Sequence, residues 1–396
     1  MYALGVHVAA FFGNAKAKLW VEGRRTKVPE FVEGSWIWFH VASLGEFEQG
    51  RPVIETLKQK HPEFKILLSF FSPSGFEVRK NYSLADEVVY LPIDTPHHAK
   101  QWVKSRHFVA AFFIKYEFWF NYMRALKQAG IPLFYISLIL KPDSFFFSWY
   151  GSWFCKQLQS VKHFFVQDET TAQLLKTHGM DNVTVSGDTR FDRVAAIAEQ
   201  VKPFPEIERF IAGRKCIIMG STWPPDEKLL VEFLPTMPED YCLIIAPHDI
   251  SALHLVQIKA MFPQAQFYTE LRPEKRSTVL VINTIGILSQ LYQYAQFVYI
   301  GGGFGVNIHN IQEPVTFGCP VVFGPKYKSF KEAVDLVALQ GAFPVQNAGE
   351  LMAVFNRLIT DADFRNQASQ TCSSYMKSQV GATKTIAIGF EQALFL

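Results

Sequence analysis

The chain has 396 residues, more than one hydrophobic core usually organises, so two domains are expected. Apolar residues make up 49% of the chain and charged residues 19%, a composition that excludes a disordered protein. The formal net charge of +3 predicts no nucleic-acid partner, and five scattered cysteines indicate a reducing cytosol rather than a disulfide or metal framework.

The first 30 residues form a segment of their own, in which an apolar run precedes a basic one. The apolar run at 1–13 is too short to span a bilayer, and a signal peptide would carry its positive charges before that run. We therefore expect an interfacial segment with Phe11, Phe12 and Trp20 among lipid headgroups; a buried N-terminal helix is the alternative. The basic residues expected near anionic lipid are Lys16, Lys18, Arg24, Arg25 and Lys27.

From residue 31 onward, short apolar runs alternate with longer amphipathic stretches, a pattern typical of parallel sheets covered by helices. The predicted strands are 36–41, 65–70, 87–92, 108–114, 132–137, 163–167, 183–187, 216–220, 241–246, 278–283, 297–302 and 320–324. Pro203 and Pro205 interrupt the helical pattern at 194–210, which predicts a link between domains at 31–200 and 201–396. The fold class is therefore α/β, and ligands are expected at the carboxyl ends of the strands.

Acidic residues follow three of the strands predicted in the first half. Glu46 stands where a helix should begin, and a helix N-terminus favours the ionised carboxylate that a general base needs. A helix-start glutamate without a catalytic role is the alternative, and Glu48 is the weaker candidate. Glu117 lies among aromatic residues, where its burial would be costly unless it binds a cation or a ligand hydroxyl. Asp94 is as easily a turn residue.

An aromatic stretch at 141–154 begins at Lys141 and contains Phe, Trp and Tyr side chains. It would suit an acceptor with acyl chains. Packing of a helix against the core explains the same residues equally well, because their spacing lets several of them share one face.

In the second half, a glycine-rich turn within 299–333 lets the backbone approach a ligand. Glu313 could hold ribose hydroxyls there, and Lys326 or Lys328 could offset a phosphate charge. The loop at 220–227 carries Ser221 and Thr222, whose hydroxyls suit a phosphate or a sugar carboxylate.

Two further strand-end loops and one acidic pair complete the candidates. Pro247, His248 and the amides near Gly286 could line a base or ribose pocket, although a structural histidine is equally consistent with the pattern. The D-x-D at Asp361 and Asp363 is interpreted as a helix cap rather than a metal site.

Seven short motifs occur together along nearly the whole chain. They are H-V-A-S-L-G-E (40–46), K-Y-E-F-W-F-N (115–121), G-D-T-R-F-D (187–192), G-S-T (220–222), A-P-H (246–248), H-N-I-Q-E-P (309–314) and F-G-P (323–325). In this order and spacing they resemble the bacterial 3-deoxy-D-manno-octulosonic acid (Kdo) transferases. The resemblance implies two Rossmann-like lobes facing a central cleft, a GT-B architecture, with the acceptor bound by the N-terminal lobe and a CMP-sugar by the C-terminal lobe.

The resemblance also implies roles for individual residues. Glu46 matches the catalytic base, Glu117 matches a second acid on the acceptor side, and Lys141 is placed on that side as well. The nucleotide contacts would be Pro247, His248, Gly286, Ile287, Leu288, Asn310, Ile311, Gln312 and Glu313, and the donor phosphate or sugar contacts would be Ser221, Thr222 and Lys326. The chain departs from the family pattern at His248, at Ile287, and at Asn307 with Ile308.

The function implied is an inverting, metal-independent transfer of Kdo from CMP-Kdo to a lipid A precursor, without a cofactor. The expected location is the cytoplasmic face of the bacterial inner membrane, with the lipid surface as a partner. The alternatives are a two-lobed sugar-nucleotide epimerase and a non-catalytic, membrane-associated nucleotide-binding protein.

Overall fold

The computed structural model describes residues 2–24, 31–149, 151–272 and 276–395, which divide into two compact units. The first unit contains the chain up to Asp192 together with the C-terminal residues from Val380. The second unit contains Arg193–Gln379. Of the basic residues predicted near lipid, Arg25 and Lys27 lie outside the described residues, as does Tyr150 of the aromatic stretch.

Parallel strands form one seven-stranded sheet in each unit within the described residues. The strands are β1 (Val32–Val41), β2 (Lys65–Phe70), β3 (Glu87–Tyr90), β4 (Arg106–Ile114), β5 (Leu133–Leu138), β6 (His163–Val166), β7 (Val183–Val185), β8 (Lys215–Thr222), β9 (Tyr241–Pro247), β10 (Gln266–Phe267), β11 (Val279–Val281), β12 (Ala295–Ile300), β13 (Val321–Phe323) and β14 (Ala342–Pro344). The predicted fold class, two parallel-sheet α/β domains, is confirmed. Strands β10 and β14 were not predicted.

Helices separate the strands in both units. They are α1 (Tyr2–Phe11), α2 (Ala15–Gly23), α3 (Leu44–Lys60), α4 (Pro73–Arg79), α5 (Pro96–Lys104), α6 (Phe120–Gln128), α7 (Ser152–Leu158), α8 (Glu169–Thr177), α9 (Thr189–Glu199), α10 (Pro205–Ile211), α11 (Pro224–Phe233), α12 (Ala252–Met261), α13 (Leu288–Leu291), α14 (Gln312–Thr316), α15 (Lys331–Ala338), α16 (Ala348–Thr360), α17 (Ala362–Gln379) and α18 (Ala382–Phe395).

The first sheet is buried on both faces, which explains why its strands are continuous apolar runs. Successive side chains of a strand point to opposite faces. Trp38 therefore packs with Tyr122 on one side, whereas Phe39 stacks on Phe112 on the other, with 4.7 Å between ring centroids. Burying each large apolar side chain contributes about 1.5–3 kcal/mol, so these two layers provide most of the stability of the unit.

The C-terminal helix α18 belongs to the first unit, whereas the sequence analysis placed it in the second domain, predicted at 201–396. Phe390 of α18 packs against Phe112 and Phe134 beneath the first sheet, with ring centroids 5.3 and 5.6 Å away. The Asp192 carboxylate accepts hydrogen bonds from the backbone N–H groups of Gly381 and Thr383 and so caps the start of α18. Contacts between residues this distant in sequence leave no local signal.

The N-terminal helices only partly match the predicted lipid-facing segment. Phe11 and Phe12 are 86% and 80% exposed, but Trp20 is only 4% exposed, so its predicted headgroup position is wrong. The Trp20 ring packs against Phe71 and under the Arg24 guanidinium, which also donates to the carbonyl oxygens of Phe71 and Leu91. Among the described helices, none combines the length and apolar character needed to cross a membrane.

In each sheet the strand order reverses between two central neighbours, and this point locates the expected sites; in the second sheet β11 also lies inside β10 at one edge. In the first sheet, chain order runs outward from β1 in one direction and from β4 in the other. In the second sheet the corresponding neighbours are β8 and β12. Loops leave such a pair of strands in opposite directions, which opens a crevice at their carboxyl ends. The carboxyl edge of each sheet is therefore where its site is expected.

Candidate active site

Glu46 lies at the carboxyl end of β1, in the first turn of α3. It forms a capping box with Ser43: the Ser43 hydroxyl accepts from the Glu46 N–H, and Glu46 Oε2 accepts from the Ser43 N–H at 3.2 Å. The same oxygen accepts from the Ala42 N–H at 2.5 Å. The helix start therefore holds the carboxylate at the crevice between β1 and β4.

Burial raises the pKa of Glu46 to about 7, with a further upward contribution from the nearby Glu117 carboxylate. The hydrogen bonds from Ala42 and Ser43, and the charge of Lys115, act in the opposite direction. The backbone donors at the helix start favour the ionised form, as expected, but desolvation outweighs them and raises the pKa of Glu46. A carboxyl group that titrates near neutrality can accept and release a proton.

The Glu117 carboxylate, which follows β4, is held by hydrogen bonds from protein side chains. Its Oε2 lies 3.0 Å from His40 Nε2 and accepts from Trp119 Nε1 at 2.6 Å. His40 Nδ1 lies 2.8 Å from the Ser69 hydroxyl, so a buried polar chain crosses the ends of β2, β1 and β4. These partners offset the cost of burying Glu117, which removes the argument that it must bind a ligand.

Asp94 lies in the loop after β3 and serves the helix α6. Its carboxylate accepts from the backbone N–H groups of Asn121 and Tyr122 at 3.4 and 3.3 Å. Burial raises the pKa of Asp94, and these hydrogen bonds lower it. The predicted structural role of Asp94 fits this geometry, although it supports the start of a helix rather than only its own turn.

The side chains of the aromatic stretch beyond β5 divide between the core and the surface. Phe146 is 2% exposed and packs against Phe118, with ring centroids 4.5 Å apart, as a core residue does. Trp149 and Trp153 are 93% and 48% exposed and form an apolar surface. Lys141 is exposed at the start of this stretch.

In the second unit, Asp226 ties the end of β8 to the glycine turn after β12. Its carboxylate accepts from the N–H groups of Trp223 and Gly302 at 2.9 and 3.0 Å and from the Tyr299 hydroxyl at 2.7 Å. Gly302 has a φ of +92°, a conformation that favours glycine. Asp226 was not predicted as a site residue, although it lies within the predicted loop at 220–227.

Ser221 and Thr222 have different environments despite being neighbours. Ser221 is half-buried and has a φ of +53°, a strained conformation for a residue with a side chain. Thr222 is fully buried, and its hydroxyl donates to Glu227 Oε1 at 2.9 Å. The Thr222 hydroxyl is thus committed to the protein interior, which argues against its predicted contact with a donor phosphate.

His248 follows β9 and stacks on His309, with ring centroids 4.3 Å apart and an interplanar angle of 18°. The Trp223 ring lies 4.8 Å from His248, and Trp223 Nε1 donates to His309 Nε2 at 2.8 Å. We call these three residues the ring cluster. Neither Trp223 nor His309 was predicted individually, although both lie within or beside the quoted motifs.

The predicted nucleotide contacts at 310–313 divide between surface and interior. Asn310 is exposed and donates to Glu313 Oε1 at 3.2 Å. Ile311 and Gln312 are each 1% exposed, and Gln312 donates to Glu332, so these two side chains face the interior. Burial raises the pKa of Glu313, while Asn310 and the charge of Arg193 lower it.

The remaining predicted contacts lie in strand-end loops of the same unit. Pro247 is buried at the end of β9, whereas Gly286 is exposed with a φ of +96°. Ile287 and Leu288 are half-buried at the start of α13. The Lys326 ammonium donates to the Gly305 carbonyl oxygen at 2.5 Å, so it braces the glycine turn.

No group of three or more His, Cys, Asp or Glu side chains that could hold a metal ion occurs in the described parts of the chain. In the D-x-D pair, Asp361 accepts from the Phe364 N–H at 2.9 Å at the start of α17. Its interpretation as a helix cap is confirmed.

Comparison with known proteins supports the resemblance inferred from the motifs. The family model described as 3-Deoxy-D-manno-octulosonic-acid transferase (kdotransferase) matches residues 12–193. The Kdo transferase of Aquifex aeolicus is 26% identical over 332 residues, which cover 82% of this chain and 86% of that protein. The Kdo transferase of Chlamydia trachomatis is 22% identical over 368 residues, covering 88% and 83%.

This chain resembles the Kdo transferases over most of its length. It is a glycosyltransferase. Among solved structures, the UDP-GlcNAc 2-epimerase of Neisseria meningitidis bound to UDP-GlcNAc has a TM-score of 0.64 and 14% identity, covering 91% of this chain and 100% of that one. S. aureus MnaA with UDP has a TM-score of 0.59 and 14% identity, covering 91% and 97%. At this identity the likeness shows the fold alone.

The G-D-T-R-F-D motif of the glycosyltransferase has a structural role in the first unit. Asp188 is buried and accepts from Gln49 of α3 at 3.2 Å, and it forms a paired contact with the Arg190 guanidinium. The Thr189 hydroxyl donates to the Gln49 carbonyl oxygen. The motif therefore anchors the start of α9 to the helix that carries Glu46.

Proposed function

We propose that this glycosyltransferase moves Kdo from CMP-Kdo to a lipid A precursor, with Glu46 as the general base. The observation that carries the proposal is the Glu46 carboxyl group, which lies at the reversal point of the first sheet with a pKa of about 7. The resemblance to the Kdo transferases over most of the chain supports the choice of sugar.

The reaction is a single displacement at the anomeric carbon of Kdo. Glu46 takes the proton of an acceptor hydroxyl as that oxygen forms its bond to the anomeric carbon. The bond from this carbon to the CMP phosphate breaks, and CMP departs with the electron pair. Because attack and departure occur on opposite faces, the anomeric configuration inverts. A phosphate is a stable leaving group, so the reaction needs no cofactor and no metal.

The second unit is proposed to hold the CMP part of the donor. Exposed Asn310 and the half-buried Glu313 are available for ribose hydroxyls, and the glycine turn after β12 allows a close approach of phosphate to backbone. His248 replaces the arginine usual in the family and is stacked on His309, which supports a contact through its ring.

The location proposed for the enzyme is the cytoplasmic face of the bacterial inner membrane. Exposed Phe11 and Phe12 in the N-terminal segment, and exposed Trp149 and Trp153 beyond β5, support contact with lipid or with acyl chains of the acceptor.

The direct test incubates the purified full-length chain with CMP-Kdo and a lipid A precursor, in the presence of EDTA. We expect CMP release that depends on the acceptor, a product heavier by one or more Kdo units, and an inverted anomeric configuration by NMR. An altered free nucleotide sugar would instead establish an epimerase, and CMP binding without turnover would establish a binding protein.

The role of Glu46 is tested by Glu46→Gln, which keeps the size of the side chain and its ability to cap α3. Loss of a general base typically costs 10²–10⁴-fold in rate, so we expect a decrease in kcat of this order. The matched control is Glu48→Gln, on the same helix, where Glu48 pairs with Arg79 at 2.8 Å. Transfer by Glu46→Gln at the wild-type rate would exclude the assigned base.

A further inference from the structure

The ring cluster of Trp223, His248 and His309 lies at the carboxyl edge of the second sheet. Trp223 follows β8, His248 follows β9, and His309 follows the glycine turn after β12. Trp223 is 37% exposed and His309 is half-buried, so the cluster is open to a ligand on one side. Trp223 and His309 follow the two strands, β8 and β12, between which the strand order reverses.

The hydrogen bond inside the cluster determines the tautomer of His309. An indole N–H can only donate, so His309 Nε2, 2.8 Å from Trp223 Nε1, must accept through a lone pair. The proton of the neutral imidazole is then on Nδ1. Burial, with the neighbouring His248, lowers the pKa of His309 to about 4, so the ring is neutral at physiological pH.

The glycine turn holds the His309 ring in place. The His309 backbone N–H donates to the Gly301 carbonyl oxygen at 3.1 Å. A Cβ added to Gly302 would lie 3.0 Å from His309 Cδ2, so the ring rests directly against the glycine backbone. Position and tautomer of the imidazole are therefore both set by the protein before any ligand arrives.

Several donors at this point lack an acceptor among the described residues. His309 Nδ1 takes part in no hydrogen bond there, and the backbone N–H groups of Gly303 and Phe304 in the turn donate to none. Consecutive backbone N–H groups in such a turn form a concave site for anions. The neutral imidazole of His309, in the same loop, adds a further N–H donor whose direction is fixed by the protein.

We propose that His309 donates from Nδ1 to a phosphate oxygen of the sugar nucleotide, and that Trp223 is the positioning residue that fixes the required tautomer. The opposite tautomer would present a lone pair to the phosphate and repel it. This inference rests on the proposed donor, a cytidine nucleotide, but goes beyond it by assigning two residues to phosphate recognition. His248 completes the cluster by stacking on the His309 ring.

The first test reads the tautomer without any ligand, by ¹⁵N NMR of histidine-labelled full-length protein at pH 7.5. We expect a neutral His309 with the proton on Nδ1, and a loss of this single form in Trp223→Phe, which keeps a ring but has no N–H. A proton on Nε2 in the wild type would overturn the inference. This readout does not depend on which sugar is transferred.

The second test compares the dissociation constants of CMP and of cytidine, which lacks the phosphate, by calorimetry. Trp223→Phe should weaken CMP about tenfold and leave cytidine unchanged, because one phosphate hydrogen bond is affected. His309→Leu should do the same, whereas His309→Asn, whose amide N–H can replace Nδ1–H, should recover part of the CMP affinity. His97→Leu, at an exposed histidine of the first unit, is the matched control for His309→Leu and should change neither constant.

The outcomes separate this inference from the proposed function. If Trp223→Phe and His309→Leu weakened the binding of CMP and of cytidine equally, or left CMP binding unchanged, the role of the ring cluster would be overturned even if transfer is established. A wild-type protein that binds no CMP would overturn the proposed donor, together with the phosphate contact, while the NMR result on the tautomer would still stand. Circular dichroism of each variant checks that it is folded.

Discussion

At Glu46, two opposing effects act on a single carboxyl group. Two backbone N–H donors and the N-terminus of α3 favour the charged form. Burial beside the Glu117 carboxylate favours the neutral form and wins, so the pKa rises to about 7. The sequence predicted the position of Glu46 in its helix but not its pKa. The reason is that desolvation depends on residues distant in the chain.

The raised pKa predicts a pH-dependent difference in stability between the wild type and Glu46→Gln. A group whose pKa is higher in the folded state stabilises fully below its unfolded pKa of 4.5, and this contribution is lost as the pH rises through about 7. At roughly 1.4 kcal/mol per pKa unit, the wild type should lose about 3 kcal/mol relative to Glu46→Gln between pH 4.5 and pH 8.

Urea unfolding of both proteins at the two pH values measures this difference. Glu33→Gln, at an exposed glutamate, serves as the control and should follow the wild type at both. If the free energies of unfolding of the wild type and of Glu46→Gln differed by the same amount at both pH values, Glu46 would be ionised in the folded protein as it is in the unfolded chain.

Helix α18 is joined to the first unit by contacts with residues far earlier in the chain. Its start is capped by Asp192, which lies 189 positions before Gly381, and its apolar face packs beneath the first sheet through Phe390. The domain predicted at 201–396 included these residues, whereas they belong to the first unit. The cap and the packing partners decide the assignment, and neither is local.

The cap predicts that Asp192→Ala destabilises the first unit. Asp192 accepts from the N–H groups of Gly381 and Thr383 and from the Thr383 hydroxyl. The substitution should therefore lower the free energy of unfolding by about 2 kcal/mol, the upper end for an N-cap. Asp361→Ala removes an exposed cap with one such bond, to the Phe364 N–H, and is the control, with an expected loss of about 0.5–1 kcal/mol. Equal losses in chemical denaturation would contradict the assigned role of Asp192.

For the whole molecule, the division into units follows core packing rather than chain order. The second unit is continuous from Arg193 to Gln379 and has its own core, which includes Phe297 and Phe355 with ring centroids 5.1 Å apart. The first unit needs both ends of the chain, because Ile386, Ala387 and Phe390 complete the layer beneath its sheet.

Fragments test this division. Residues 193–379 expressed alone should unfold in one cooperative transition, because their core is closed within the segment. Residues 1–192 alone should lack such a transition, since removal of α18 exposes the apolar layer that it covers. Joining residues 380–396 to residue 192 through a flexible linker should restore cooperativity, as followed by circular dichroism on heating. A cooperative 1–192 fragment would show that α18 is dispensable.

The sequence by itself determined the elements and the edge of each sheet where chemistry is expected. Apolar runs and helical periods are local patterns, so the strands, the α/β class and the place of Glu46 at a strand end could be predicted. The tertiary structure alone decided the burial of Trp20, the inward direction of Thr222 and Gln312, and the tautomer of His309. Each of these depends on solvent exclusion and hydrogen bonds between residues far apart in the chain, which no local pattern encodes.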